Sequence, residues 1–133
     1  MAPKDSGPNP TNAEFEILRV LWHRGPSTVR EVHESLEGDR QVGYTTVLKL
    51  LQIMAEKGLV TRDESARSHV YRAAVTEEAT TRRMVSDLLD RAFEGSALRL
   101  VMQALAARPA SREELQRIRA LLDQKQKKNG GSS

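Results

Sequence analysis

Residues 44–60 read YTTVLKLLQIMAEKGLV, and their pattern is the strongest indication of the fold in this sequence. Its apolar side chains recur at helical spacing, which predicts an amphipathic helix over residues 43–57. Gly58 follows at the position where a left-handed residue commonly ends a helix. The predicted inward-facing stripe consists of Val47, Leu50, Leu51 and Met54.

The opposite face of this helix carries an unusual set of polar side chains. At 100° per residue it is centred on Thr45, Lys49 and Gln52, with Thr46 and Leu48 on its flanks. Hydroxyl and amide groups can donate to phosphates or base edges, and a lysine can neutralise a phosphate or reach a guanine. The face therefore predicts contact with DNA, although an ordinary solvated helix face is the alternative interpretation.

Shorter elements precede this helix. Thr11 and Glu14 have the spacing of a capping box, which predicts a first helix over residues 11–24 before Gly25. The β-branched stretch 27–29 could pair as a very short strand. A second short helix is then expected from Val29 to about Gly38, followed by a polar turn.

The hydrophobic period changes after Gly58. Residues 59–64 and 69–75 alternate roughly as strands, which predicts a β-hairpin over residues 59–75. Three more amphipathic helices are expected to begin near Thr76, Ala97 and Ser111. The fold class is therefore mainly α with a small β-hairpin: an N-terminal winged helix-turn-helix followed by a three-helix region. In that architecture the third helix enters the major groove, and the hairpin is the wing.

Composition limits the kinds of protein to consider. Hydrophobic residues make up 38% and charged residues 29% of 133 residues, as in a folded globular protein. There is no cysteine and no long apolar run, so disulfides, thiolate metal sites and a membrane span are not expected. Residues 1–10 lack the features of a secretory signal and suggest a disordered arm, and 125–133 a disordered tail. These features favour a cytoplasmic protein.

Charge alone says little about nucleic acid. Residues 1–75 carry ten Lys and Arg against ten Asp and Glu, while residues 76–133 carry eleven against eight. DNA binding must therefore depend on where the basic side chains point. Beside the outer face of the third helix, Tyr44 at its start, Thr28, and Arg67 and His69 near the wing tip are candidates. The predicted DNA-binding residues are Thr28, Tyr44, Thr45, Thr46, Lys49, Gln52, Arg67 and His69.

Each of these further candidates has a structural alternative. The Tyr44 ring could pack on the second helix instead of binding a phosphate, and Thr28 could cap that helix together with Glu31. Arg67 and His69 could be ordinary surface residues. The three histidines are too scattered for a metal site, and no spacing links a catalytic set, so neither a metal, a cofactor nor an enzymatic activity is predicted.

The last three helices form apolar stripes that exceed what an already complete domain needs. A stripe with nothing to bury against needs a partner, and a second copy of the chain is the simplest. Residues 76–124 are therefore predicted to form a homodimerisation domain, and residues 11–75 the DNA-binding domain. The predicted dimer residues are Met84, Val85, Leu88, Leu89, Phe93, Leu98, Val101, Leu105, Leu115, Ile118 and Leu122.

The chain resembles the BlaI/MecI penicillinase-repressor family, which includes copper-responsive CopY-type members. The resemblance is carried mainly by residues 44–60, with support from 11–22, 28–32, the wing residues 67–71, 93–96 and 111–122. It covers roughly residues 11–123. It implies a homodimer with interlocked C-terminal helices that binds an inverted-repeat operator in double-stranded DNA and represses transcription by occluding a promoter.

The resemblance also implies a mode of induction. In β-lactam-responsive members a membrane sensor protease system leads to cleavage in the dimerisation domain, and the bond aligns near Gln103-Ala104 here. Members with well-described cleavage have an Asn-Phe-like pair at that place, from which this chain departs. CopY-type copper sensing uses a C-terminal cysteine cluster, which this sequence does not contain.

Two other functions remain as alternatives. The near-neutral N-terminal part would suit a winged-helix protein-interaction module that does not bind DNA. A small enzyme or metal-dependent sensor is disfavoured by the missing cysteines and scattered histidines.

Overall fold

The structure is a computed structural model that describes residues 9–36, 42–65 and 67–131. Residues 1–8 of the predicted arm and the predicted turn before residue 42 lie outside the described residues, as do 66 and 132–133. The elements, in chain order, are α1 (Asn12–Arg24), β1 (Ser27–Thr28), α2 (Val29–Leu36), α3 (Tyr44–Lys57), β2 (Val60–Asp63), β3 (Val70–Ala73), α4 (Glu77–Ala92), α5 (Ala97–Ala107) and α6 (Arg112–Gly131). This order confirms the predicted winged helix-turn-helix followed by three helices.

The predicted helix starts are formed by hydrogen bonds from side chains. Thr11 Oγ1 accepts the Glu14 amide at 3.2 Å, and Glu14 Oε1 accepts the Thr11 amide at 2.9 Å, so the capping box at α1 is complete. Thr28 and Glu31 form the same reciprocal pair at α2. These bonds satisfy amides that a helix start would otherwise leave without partners.

Helix α3 ends where its sequence predicts. Gly58 has φ +86 and ψ 12, a left-handed conformation that glycine adopts at little cost. Its amide donates to the last turn of α3, and the Leu59 amide donates to Met54 O at 2.9 Å. This closure turns the chain directly from α3 into the wing.

The three strands form one antiparallel sheet in the order β1-β3-β2. Thr28 lies opposite Val70, and Arg62 lies opposite Tyr71. The short strand predicted around residues 27–29 therefore exists and pairs with the wing. This pairing brings the start of α2 next to the tip of the hairpin.

One hydrophobic core holds α1–α3 and the sheet together. It contains Ile17, Leu18, Leu21, Val29, Val32, Val47, Leu51, Met54, Leu59, Val60 and Tyr71. Trp22 packs against it, and its indole N–H donates to Val75 O at 2.9 Å. Tyr71 is buried, so its ring packs the wing rather than offering a stacking surface.

The chain divides into two compact units, residues 1–87 and 88–133. The first turns of α4 thus cluster with the first unit, whereas the sequence predicts a domain boundary at residues 75 and 76. Thr80, buried in α4, donates its hydroxyl to Thr76 O at 2.7 Å.

The C-terminal end of the described chain is helical, which differs from the sequence prediction. Helix α6 continues to Gly131, so the disordered tail predicted for residues 125–133 is wrong for 125–131. Residues 125–128 are Lys-Gln-Lys-Lys, which lack an apolar period but have good helix propensity. The expected arm is likewise too long, because Pro10 is buried.

Candidate nucleic-acid interface

The outer face of α3 is exposed as predicted. Thr45, Thr46, Lys49 and Gln52 are all exposed, whereas Val47, Leu51 and Met54 on the opposite side are buried. The helix is therefore packed through its apolar stripe and presents two hydroxyls, an ammonium and an amide outward. All four side chains lie on one rigid element, which is the arrangement that groove contacts require.

A groove next to α3 brings the other four candidates together. It has a volume of about 540 Å³ and lies between the start of α2, the start of α3 and the wing. Thr28, Tyr44, Arg67 and His69 line it. Thr45, Thr46, Lys49 and Gln52 are not among its lining residues; they extend the polar surface along α3.

Two polar residues of this groove were missed in the sequence. Arg30 and Ser68 also line it, together with the apolar side chains Val29, Leu48 and Tyr71. Arg30 is exposed in the first turn of α2 and adds a second guanidinium to that of Arg67. A signal existed, because Arg30 lies two residues after the candidate Thr28, but only the β1–β3 pairing brings it beside the wing.

Tyr44 packs on the second helix, as its structural alternative predicts, and it also borders the groove. Its ring meets the His33 imidazole of α2 edge to face, with centroids 6.1 Å apart, so it does pack on the second helix. The side chain nevertheless remains 48% exposed and lines the groove. Thr28 also takes part in two kinds of contact: its hydroxyl caps α2, and the residue lines the groove.

The acidic groups of the wing are occupied by neighbours. The guanidinium of Arg62 donates from Nε to Glu64 Oε2 at 2.8 Å. Hydrogen bonds from Ser65, with the charge of Arg72, hold the pKa of Asp63 below its ordinary value. Within the described residues, no ion pair involves Arg30, Lys49 or Arg67. The cations that border the groove and α3 are thus available to an anionic partner.

Comparison with known proteins identifies the family. Residues 10–124 match the family model described as "Penicillinase repressor". The chain belongs to the penicillinase repressor family. The match extends over both compact units, so this penicillinase repressor family member resembles the family in its helical C-terminal part as well as in its winged helix.

Individual relatives agree with this assignment. The transcriptional regulator BlaI of Mycobacterium tuberculosis is 44% identical over 59 residues, which cover 44% of this chain and 43% of that relative. The methicillin resistance regulatory protein MecI of Staphylococcus aureus is 18% identical over 86% of this chain and 94% of the relative. The penicillinase repressor of Bacillus licheniformis is 22% identical over 88% of this chain and 91% of the relative.

Solved structures in this family are also similar. The monomeric form of Bacillus licheniformis BlaI, in complex with the blaP half-operator, matches with a TM-score of 0.48 and 23% identity. The match covers 55% of this penicillinase repressor family member and 89% of the solved chain. The DNA-binding domain of the repressor BlaI matches with a TM-score of 0.49 and 23% identity. This match covers 59% of the present chain and 93% of the solved chain.

In the part of this family member that the structure describes, no helix is both long and apolar enough to cross a membrane. Gln103 and Ala104, the expected cleavage pair, lie inside α5 and are exposed.

Proposed function

We propose that this chain is a homodimeric transcriptional repressor that binds operator DNA and has no enzymatic activity. One observation carries the proposal: an exposed polar face on α3 continues, through Tyr44, into a groove bordered by Arg30 and Arg67. Helix α3 would enter the major groove, and the α2–wing groove would receive the sugar-phosphate backbone. Membership of the penicillinase repressor family supports the same function.

The homodimer is the second part of the proposal. It draws support from large apolar side chains that the second unit leaves exposed, including Leu98, Met102, Leu121 and Leu122. Joining two copies through a two-fold axis would pair two α3 helices and match an inverted-repeat operator. The half-sites would lie one or two helical turns apart, about 34 or 68 Å.

Relief of repression by cleavage between Gln103 and Ala104 is the third part. Proteases bind extended peptide, so α5 would have to unwind around this bond. Helix α5 contains no buried residue within the described chain, which makes local opening inexpensive for a free subunit. A membrane sensor protease system would then start induction, and incubating the purified protein with its activated form would show a single cut in α5.

DNA binding is tested by selection from random duplexes. We expect the full-length protein to enrich one inverted-repeat sequence and to protect it in a footprint. The Thr45→Ala/Gln52→Ala variant should lose at least about tenfold of the preference for this sequence over a scrambled duplex, because each base contact contributes about 1–3 kcal/mol. A folded protein that enriches no sequence would instead favour a winged-helix protein-interaction module.

A further inference from the structure

A partly buried ion pair joins the first helix to the end of α3. Glu14 lies in the first turn of α1 and its side chain is 2% exposed, while Lys57 is the last residue of α3 and is 30% exposed. Lys57 Nζ lies 2.9 Å from both carboxylate oxygens of Glu14, across a sequence separation of 43 residues. Because Glu14 Oε1 also accepts the Thr11 amide at 2.9 Å, the carboxylate is held in one orientation.

Stability alone is a poor explanation for this pair. Moving a carboxylate out of water carries a large desolvation cost, and a well-packed apolar pair is often as stable as a buried ion pair. The core already joins α1 to α3 through Ile17, Leu18, Leu51 and Met54. Apolar contacts are non-directional, whereas the three hydrogen bonds of Glu14 specify direction and distance. The pair therefore selects one placement of α3 on α1.

That placement determines where the DNA-facing side chains stand. Helix α3 is continuous from Tyr44 to Lys57, and it rises about 1.5 Å per residue. Gln52 and Lys49 thus lie roughly 8 and 12 Å along the same axis from Lys57. A tilt or rotation at the Lys57 end would move their polar groups by distances that hydrogen bonds to base edges do not tolerate.

We propose that Glu14 and Lys57 are positioning residues for sequence recognition. They fix the end of α3 on α1, and so set the angle at which Thr45, Lys49 and Gln52 meet the bases. This inference rests on the proposed DNA-binding function. Neither residue needs to touch DNA, and the role concerns discrimination between sequences more than the total attraction for a polyanion.

Glu14→Gln separates positioning from electrostatics. The amide oxygen can still accept the Thr11 amide, but the charge on Lys57 loses its partner. The substitution raises the net charge of the protein by one, which by itself would strengthen binding to any DNA. Positioning predicts weaker binding to the selected sequence instead. The dissociation constant for a scrambled duplex divided by that for the selected duplex should therefore fall roughly tenfold.

Glu77→Gln is the matched control. Glu77 is exposed in the first turn of α4 and lies outside the DNA-facing face of α3, so this variant changes the net charge equally without touching the pair or that face. It should keep the wild-type ratio, as should Lys57→Arg, which retains a charged donor. Both dissociation constants are measured on full-length protein, at a temperature well below each melting temperature, with the selected duplex and its scrambled counterpart.

The outcomes are distinct. If Glu14→Gln lowers the melting temperature but leaves the ratio unchanged, the pair only stabilises the fold and the inference is overturned. Should that variant fail to fold, the double variant Glu14→Gln/Lys57→Met removes both charges without changing the net charge, and the same ratio is measured. A wild-type protein with no preference for any duplex would overturn the proposed function itself, and the inference with it.

Discussion

Lys49 lies in the middle of the exposed face of α3, between Thr45 and Gln52. Within the described residues no carboxylate forms an ion pair with it, so its charge is not offset by a close neighbour. We predict that Lys49→Ala weakens DNA binding. If the ammonium contacts one phosphate and no base, the slope of log K against log salt should become shallower by about one unit.

The control for Lys49→Ala is Arg19→Ala. Arg19 is an exposed cation on α1 that lines a groove between α1 and α2, not the groove beside the wing. Arg19→Ala removes the same charge from the protein, but it should leave the slope of log K against log salt nearly unchanged. Equal slopes for the wild type and Lys49→Ala across a titration from about 50 to 200 mM salt would exclude the phosphate contact.

At the scale of an element, the stability of the start of α2 depends on pH through the Glu31 carboxyl. The Thr28 backbone amide donates to Glu31, and with Arg24 it holds the pKa of this carboxyl below its ordinary value. A lowered folded-state pKa means that Glu31 stabilises the fold above the pKa of the unfolded chain, about 4.3. The stabilisation is lost as pH falls through the lower folded-state value.

We therefore predict that Glu31→Gln changes the acid limb of the stability curve. Glutamine can complete a capping box without a charge, so α2 should remain folded. The melting temperature of the variant should be lower than that of the wild type at pH 7, and the two should converge below about pH 4. A difference that is constant from pH 7 to pH 3, measured by circular dichroism, would contradict the prediction.

Local sequence patterns were enough to predict most elements. The hydroxyl–carboxylate spacing of Thr11 with Glu14 and of Thr28 with Glu31 predicted two helix starts, and Gly58 predicted the end of α3. These features depend on residues a few positions apart. The continuation of α6 was missed because residues 125–131 have no apolar period, although a long helix can extend into solvent on propensity alone.

The candidate site was only partly predictable, because some of its features depend on contacts between residues that are distant in the sequence. The exposed face of α3 follows from its period, so Thr45, Lys49 and Gln52 could be chosen from the sequence. The groove depends on β1 pairing with β3, which brings Arg30 next to Arg67. The Glu14–Lys57 ion pair spans 43 residues and depends on how α1 packs on α3. Tertiary proximity of this kind leaves no local pattern.

At the scale of the whole molecule, the two compact units have different surfaces. The first buries a core of eleven hydrophobic residues, whereas α5 and α6 contain no buried residue in the described chain. Leu98 is 68% exposed and Met102, Leu121 and Leu122 are each more than half exposed. Helices with so much apolar surface gain most of their stability from a partner. A second subunit would supply it and double the number of DNA contacts.

We predict that Leu98→Glu produces a monomer. Burying a leucine contributes roughly 2 kcal/mol, and two-fold symmetry counts the loss twice, so the dimer dissociation constant should rise about a thousandfold. Gln116→Glu is the control, because Gln116 projects from the side of α6 opposite Ile118 and Leu122. Sedimentation velocity at micromolar concentration should give twice the chain mass for the wild type and the control, and the chain mass for Leu98→Glu.

The monomer should keep its winged helix and bind a single half-site, but with much lower affinity for the full operator, because the two contacts are no longer linked. If wild-type protein sediments as a monomer and still protects both half-sites, the apolar faces of α5 and α6 have another purpose.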